Sequence, residues 1–151
     1  MTETSDGTID IDTAIGDVEH EFSLIFNRVR GLMRERAEQV HPDLQPLGYK
    51  VLSSLVRGGR MHAGTIGELL MTDKSTISRT VKQLEELGLV VREADPEDGR
   101  ATYLAASEVG AERVTRIRTH GQELWRSRLA EWDTADLTRL TELLAKVNES
   151  I

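Results

Sequence analysis

The sequence predicts a mainly α-helical protein with one small β-hairpin, and two patterns carry this prediction. Apolar residues recur at steps of three and four over much of the 151-residue chain, as one face of an α-helix requires. Two short β-prone segments, 89–93 and 101–104, flank a turn-rich stretch that contains Pro96 and Gly99. We therefore expect helices at both ends of the chain and a hairpin between them.

The first 12 residues are predicted to form a mobile acidic tail, because they are polar and contain few apolar residues to bury. A helix of unusual length is expected to follow. Its apolar stripe starts at Ile15 and continues to Val40, after which Pro42 and Pro46 close it.

Three shorter helices are expected next, over 47–56, 65–70 and 74–87. Gly58 and Gly59 stop the first of them. A cap-competent Thr72 or Asp73 precedes the third, and Gly88 stands where a glycine ends a helix. A short helix, a turn of a few residues and a second helix have the spacing of a helix-turn-helix.

Two further helices close the chain. Ser107 is expected to cap a long helix that runs to Trp132, and Thr134 to cap a last one. The apolar stripe of the last helix comprises Leu137, Leu140, Leu144, Val147 and Ile151. The terminal helices are apolar on one side, yet no second layer is available to cover them. Two copies of the chain could cover each other, and the alternative is that these helices fold back on their own domain.

The predicted architecture is thus a winged helix-turn-helix with long terminal dimerisation helices. We divide the chain into the mobile tail at 1–12, a helical dimerisation region at 13–46 and 107–151, and a winged helix-turn-helix domain at 47–106.

The helix expected at 74–87 has two chemically different faces. At about 100° per residue, Ile77, Val81 and Leu84 cluster on one side. The opposite side carries hydroxyl groups and cations: Ser75, Ser78, Arg79 and Lys82, flanked by Lys74 and Thr76. Hydroxyls and Lys suit phosphates and Arg suits guanine edges, so this pattern is typical of a helix that enters the major groove of DNA. An ordinary solvated polar face is the alternative.

The hairpin tip adds a second candidate contact. An acidic loop repels DNA, but Asp98 and Arg100 are two residues apart in a tight turn, where the carboxylate could orient the guanidinium. An oriented Arg100 could enter a narrow minor groove, whose negative potential attracts it.

These motifs resemble those of the multiple-antibiotic-resistance regulator (MarR) family of bacterial repressors over residues 47–110. The segment 73–90, D-K-S-T-I-S-R-T-V-K-Q-L-E-E-L-G-L-V, is similar to the family's recognition segment, and Asp95, Asp98 and Arg100 form its D-x-x-D-x-R motif. The family's L-T-x-x-G opening of the next helix is present with Ala106 and Ser107 in place of Leu and Thr.

The resemblance implies a homodimer that binds double-stranded DNA at a pseudo-palindromic operator, acting as a repressor. The predicted DNA-binding residues are Lys74, Ser75, Thr76, Ser78, Arg79, Lys82, Asp98 and Arg100. In many members a small molecule bound between the dimerisation and DNA-binding regions controls the protein. Here we expect a small aromatic acid or phenol, held by residues from 22–33, 47–55 and the start of the helix after Ser107. Those positions are mostly aliphatic and fit plain core packing equally well.

The composition and the missing motifs weigh against several other functions. The chain contains no cysteine, and its four histidines are scattered without a metal-ligand spacing, so we predict no metal and no cofactor. The formal net charge of −7 weighs against nucleic acid only on first inspection: seven acids and no Lys or Arg precede Arg28, and the remainder has 19 acids and 19 bases. No signal peptide or membrane span is recognisable, so a cytoplasmic protein is expected. Enzyme motifs are lacking, and the main rival is a protein-binding module on the same fold.

Overall fold

The computed structural model describes residues 10–150, and its architecture confirms the predicted fold class. The described chain forms, in order, α1 (Ile11–Val40), α2 (Pro46–Gly58), α3 (Ala63–Leu69), α4 (Lys74–Glu86), β1 (Val90–Ala94), β2 (Thr102–Ala106), α5 (Glu108–Leu129) and α6 (Thr134–Ser150). The two strands pair antiparallel, with Val90 opposite Ala106 and Ala94 opposite Thr102.

Local signals account for most of the helix ends. Pro46 occupies the first turn of α2, where a missing N–H costs nothing. Asp73 caps α4 by accepting a hydrogen bond from Thr76 N, and Ser107 caps α5 by accepting one from Gly110 N. Gly88 ends α4 with a φ of 70°, a left-handed conformation that glycine adopts without steric cost.

Some boundaries differ from the sequence-based prediction. Helix α1 begins at Ile11, so the last two residues of the predicted tail are helical; Asp12 in the first turn is favoured by the helix dipole. The rest of that tail, 1–9, lies outside the described residues, as does Ile151. Helix α5 ends at Leu129, before the predicted Trp132.

The cap predicted for α6 also differs, because Thr134 is the first residue of that helix. Asp133 Oδ1 accepts a hydrogen bond of 3.0 Å from Ala135 N, and the Asp133 carbonyl accepts one from Leu137 N. Asp is at least as good a cap as Thr, so the cap lies one residue earlier than predicted.

The hydrophobic core lies in the central part of the chain. It is built mainly by α2, α3, α4 and the hairpin, with contributions from the end of α1 and the first half of α5. The largest fully buried side chains include Leu52, Ile66, Ile77, Leu84 and Leu104. Met61 extends the hairpin by exchanging backbone hydrogen bonds of 3.0 and 2.8 Å with Leu104, which ties the segment before α3 to β2.

The terminal helices contribute little to this core. Helix α6 buries none of its residues, and most of α1 is exposed. Large apolar side chains therefore face solvent on the single chain, among them Ile15, Val18, Ile25, Phe26, Trp125, Trp132, Leu140 and Leu144. Within residues 10–150 the chain leaves these side chains uncovered.

Candidate nucleic-acid interface

Helix α4 has the two faces that the sequence predicts. Ile77, Val81 and Leu84 are buried against the core. The six predicted contact residues of α4 lie away from the core: Lys74, Ser75, Ser78, Arg79 and Lys82 are exposed, and Thr76 is partly buried. The helix therefore presents a continuous surface of hydroxyls and cations to solvent.

The start of α4 is organised by Asp73. Its Oδ1 accepts a hydrogen bond of 2.6 Å from Ser75 Oγ and one of 2.9 Å from Thr76 N. The hydrogen bond from Ser75, followed by those from Thr76, holds the pKa of Asp73 well below its ordinary value. The Ser75 hydroxyl thus uses its hydrogen within the protein, and its oxygen remains available as an acceptor.

The cations of this face are lightly restrained. Arg79 donates one hydrogen bond, from Nη2 to Thr76 Oγ1 over 3.2 Å. The guanidinium has four further N–H donors that this bond does not use. Lys82 Nζ lies 3.9 Å from Glu86 Oε1 across one exposed helical turn, where an ion pair contributes little. Both side chains can be turned toward a ligand at small cost.

The acidic end of α4 is partly neutralised by the hairpin. Arg92 of β1 donates to both oxygens of Glu85, from Nε over 2.7 Å and from Nη2 over 3.1 Å. This bidentate pair connects α4 with β1 and compensates a charge that would otherwise repel phosphate. No local sequence signal predicts this pair, because the register of the β-strands decides where Arg92 points.

The hairpin tip is a chain of turns capped by its own acids. Asp95 Oδ1 accepts from Glu97 N over 2.9 Å and from Asp98 N over 3.4 Å. The hydrogen bond from Glu97 is the largest reason that the pKa of Asp95 lies below its ordinary value. Asp98 Oδ1 in turn accepts from Arg100 N over 3.0 Å. Such side-chain to backbone bonds are typical of Asx turns.

The contact expected between Asp98 and the Arg100 guanidinium is therefore replaced by another. In the described part of the chain these two side chains form no ion pair within 4.0 Å. The Asp98 carboxylate binds the backbone N–H of Arg100 instead, since that group is two residues away and already lies inside the turn. Asp98 thus fixes the backbone from which the exposed Arg100 side chain departs.

Sequence reasoning missed a cluster at the base of the hairpin. The ring of His62 stacks on that of Tyr103, with centroids 4.1 Å apart. The Arg60 guanidinium lies 4.6 Å from the Tyr103 ring centroid and 3.3 Å from Glu93 Oε2. These partners are more than 30 residues apart in the chain, so no short motif could indicate them.

A cleft between the terminal helices and the core domain, which comprises α2, α3, α4 and the hairpin, differs from the effector site that the sequence predicts. A cavity of about 260 Å³ is bounded by α1, α2, the end of α3 and α5. Four cations border the cavity, and all but Lys50 lie outside the segments predicted to hold an effector: Arg36, Lys50, Arg57 and Arg118. Ser53 also lines it, and its Oγ is buried without a hydrogen-bond partner among the described residues.

The fold and this surface define the class of the protein. A helix-turn-helix whose second helix exposes hydroxyls and cations, followed by a hairpin with an exposed arginine, is the arrangement of winged helix-turn-helix DNA-binding proteins.

Comparison with known proteins gives the family. A model of the MarR family matches residues 43–101. The chain is 30% identical to the HTH-type transcriptional repressor IacR of Pseudomonas putida over 80% of its own length and 73% of the relative's. It is 26% identical to the uncharacterized HTH-type transcriptional regulator YxaD of Bacillus subtilis, over 88% and 92% of the two chains.

Solved structures agree on the fold. The YusO protein of Bacillus subtilis superposes with a TM-score of 0.72 at 18% identity, over 95% of this chain and all of the other. The chain belongs to the MarR family and is a helix-turn-helix transcriptional regulator.

Two properties of residues 10–150 concern membranes and metal ions. None of their helices combines the length and apolar character that a membrane span requires. Their His, Asp and Glu side chains form no group of three or more that could hold a metal ion.

Proposed function

We propose that this regulator is a homodimeric repressor in the cytoplasm that binds a pseudo-palindromic operator and is released by a small aromatic acid. The observation that carries the proposal is the exposed face of α4, where cations and hydroxyls stand on a helix backed by the core. Its role is regulatory and involves no catalysis.

The proposed DNA contacts have distinct roles. Arg79 reads a guanine edge in the major groove, because guanidinium can donate two hydrogen bonds to that base. Lys74, Lys82 and the hydroxyls of Ser75, Thr76 and Ser78 bind phosphates or bases around it. Arg100 enters the neighbouring minor groove from a turn that Asp98 holds in shape.

The homodimer is supported by the uncovered apolar surface of the terminal helices. Exposed large apolar side chains such as Phe26, Trp125 and Leu144 are more numerous than the ordinary surface of a monomer explains. We propose that the dimerisation region, 13–46 and 107–151, buries them against a second copy. This interface would be of the large obligate type, beyond about 2,000 Å² in total.

The sign of regulation rests on the similarity to IacR, a protein named as a repressor. A dimer bound across an operator blocks other proteins from that DNA. Release requires a ligand that binds one state of the dimer better than the other, since equal affinity for both states shifts nothing.

The cationic cleft is the proposed effector site. Arg36 and Arg118 come from α1 and α5, whereas Ser53 belongs to α2, so a ligand bound to all three would join the terminal helices to the core domain. A carboxylate would accept hydrogen bonds from the two guanidinium groups and from the unpartnered Ser53 hydroxyl. Met33 and Tyr49 supply apolar surface for an aromatic ring.

The decisive experiment is selection of genomic fragments by the purified protein, followed by salt titration of the retained duplex. A DNA-binding dimer should enrich one palindromic sequence, and the logarithm of its affinity should fall linearly with the logarithm of salt concentration. Retention of no sequence, with binding of a protein partner instead, would favour the rival binding module.

Calorimetry tests the effector separately. Benzoate should bind the free protein and should bind more weakly when the operator is present, whereas uncharged benzamide should not bind. The Ser53→Ala variant should bind benzoate less tightly. Benzoate binding that is indifferent to DNA would contradict release by this ligand class.

A further inference from the structure

The base of the hairpin is joined to the segment before α3 through His62. This residue follows Met61, whose backbone pairs with Leu104 of β2. The His62 ring lies on Tyr103, the neighbour of Leu104, and its side chain is 40% exposed. His62 therefore connects the hairpin to the segment that leads into the helix-turn-helix.

Both ring nitrogens of His62 face hydrogen-bond acceptors. Nδ1 lies 3.1 Å from the Thr102 carbonyl oxygen, and Nε2 lies 3.3 Å from Asp95 Oδ2. A neutral imidazole has one N–H and can donate to only one of the two. The imidazolium has two and can donate to both, so the protonated ring fits these surroundings better than the neutral one.

Asp95 links this contact to the hairpin tip. One oxygen of its carboxylate faces His62, while the other accepts the N–H groups of Glu97 and Asp98. The side chain of Asp95 is only 10% exposed. The hydrogen bond from Glu97 lowers the pKa of Asp95, so it is a carboxylate throughout the range in which histidine titrates.

The other charges around His62 nearly balance. Arg60, on the same segment, opposes a cation on His62, but it is paired with Glu93 of β1 over 3.3 Å. The amino-terminal end of α3, which starts one residue after His62, also opposes protonation through its partial positive charge. Thr102 and Tyr103 supply a carbonyl and an aromatic face from β2. Asp95 is thus the acidic side chain in direct contact with the His62 ring.

We propose that His62 and Asp95 are positioning residues that hold the hairpin in the orientation needed for DNA binding, and that protonation of His62 strengthens this hold. The inference rests on the proposed role of Arg100 in the minor groove. In this proposal the operator binds only when the hairpin is held against the segment before α3, as in the structure. Any condition that raises the population of this arrangement therefore raises the apparent affinity for the operator. Histidine changes charge between about pH 5 and 8. Operator affinity should therefore fall as pH rises through that range.

The test is operator affinity by fluorescence anisotropy at pH 6 and pH 8, at fixed salt. Because His62 is partly exposed and an ion pair near the surface is weak, the wild-type change should be on the order of two- to fivefold. His62→Phe keeps a ring to stack on Tyr103 but cannot donate, so at pH 6 it should bind no more tightly than the wild type binds at pH 8. Asp95→Asn keeps an acceptor oxygen for Glu97 and should likewise lose most of the pH dependence.

Controls separate this inference from the proposed function. His120→Ala changes an exposed histidine of α5 and should retain the full pH dependence. Arg100→Ala should weaken binding at both pH values; if it does not, the hairpin does not contact DNA and the proposed function is wrong there. If Arg100→Ala weakens binding but His62→Phe keeps the wild-type affinity and pH dependence, the positioning role of His62 is overturned. An equal loss at both pH values in His62→Phe would overturn the role of protonation.

Discussion

At the scale of single residues, three aspartates near the proposed DNA contacts accept backbone N–H groups. Asp73 binds the N–H of Thr76, Asp95 that of Glu97, and Asp98 that of Arg100. Each carboxylate lies where its charge alone would repel phosphate. Their contribution is geometric, because each fixes a turn or helix start from which a hydroxyl or cation extends.

The wing turn gives a prediction in which charge and geometry have opposite signs. Asp98→Ala removes a negative charge but also the acceptor for Arg100 N, and we expect weaker operator binding. Asp98→Asn is the matched control, since it removes the charge and keeps an acceptor oxygen, and it should bind at least as tightly as the wild type. Arg100→Ala should bind much more weakly, and Arg100→Lys should recover part of the loss. Affinity at fixed salt decides; tighter binding by Asp98→Ala would refute the geometric role.

Met71, in the turn between α3 and α4, gives a prediction about stability. It has a φ of 49° and a side chain that is 95% exposed, so it is in a left-handed conformation with little packing in return. That conformation costs roughly 1–2 kcal/mol for a residue with a Cβ, and glycine avoids this cost. Glycine also makes the unfolded chain more flexible, which offsets about 0.5–1 kcal/mol of the gain. Met71→Gly should therefore raise the free energy of unfolding by up to about 1 kcal/mol.

Urea unfolding measures this change. Met71→Ala is the control, because it shortens the side chain but keeps the strained backbone, and it should unfold like the wild type. A clear loss of stability in Met71→Gly would mean that the Met71 side chain contributes packing that the structure does not show.

At the scale of elements, α5 connects the hairpin to α6. Its first turn packs closely on the end of α4 and the start of β1. Ser107 Oγ donates to the Gly88 carbonyl over 2.7 Å, and Ser107 N donates to that of Leu89 over 2.9 Å. Gly110 is buried on the same face, where a Cβ would collide with the Leu89 carbonyl oxygen. This close approach explains why the family pattern has a glycine three residues after the cap.

Replacing that glycine should disturb the junction. Gly110→Ala forces a methyl group against backbone that cannot rotate away, so we expect a loss of roughly 1–3 kcal/mol in the free energy of unfolding. Gly121→Ala is the control on the same helix, because its added methyl group would meet the end of the flexible Arg36 side chain. Thermal or urea unfolding compares the two. Equal stability in both variants would show that α5 can shift away from β1 freely.

Prediction from the sequence succeeded for several ends of the helices and failed for the contacts between elements. The start of α4 at Lys74, the glycine that ends it and the Ser107 cap depend on neighbours within a few residues, and all were predicted correctly. The cationic cleft was not, since Arg36, Lys50 and Arg118 converge from three helices. The contacts of His62 could not be predicted for the same reason, because tertiary packing brings the partners together.

At the scale of the whole molecule, the described chain forms its hydrophobic core without α6. That helix buries no residue in the single chain, although leucines line one of its faces. A helix with an uncovered apolar stripe is stable in water chiefly through packing, and a second copy of the chain can supply it.

A charge on that stripe should separate the two copies. Leu144→Glu places a carboxylate in the proposed interface of both copies, and we expect a monomer with much weaker operator affinity. Its core should remain folded, because Leu144 is exposed on the single chain and is not one of the core residues. Thr138→Glu adds the same charge to the opposite side of α6 and should remain dimeric. Light scattering after size-exclusion chromatography gives the masses, and a fully dimeric Leu144→Glu would contradict this interface.

The most direct test of the account is the base preference and salt dependence of two variants on the exposed face of α4. Arg79→Ala should lose roughly 1–3 kcal/mol on the operator and little on operators altered at the base that Arg79 reads. Lys82→Ala should weaken binding about equally on all sequences and flatten the log–log salt slope by about one unit. Lys146→Ala, on α6, should change neither quantity. If Arg79→Ala and Lys82→Ala both bind the operator like the wild type, α4 does not read DNA and the central claim is wrong.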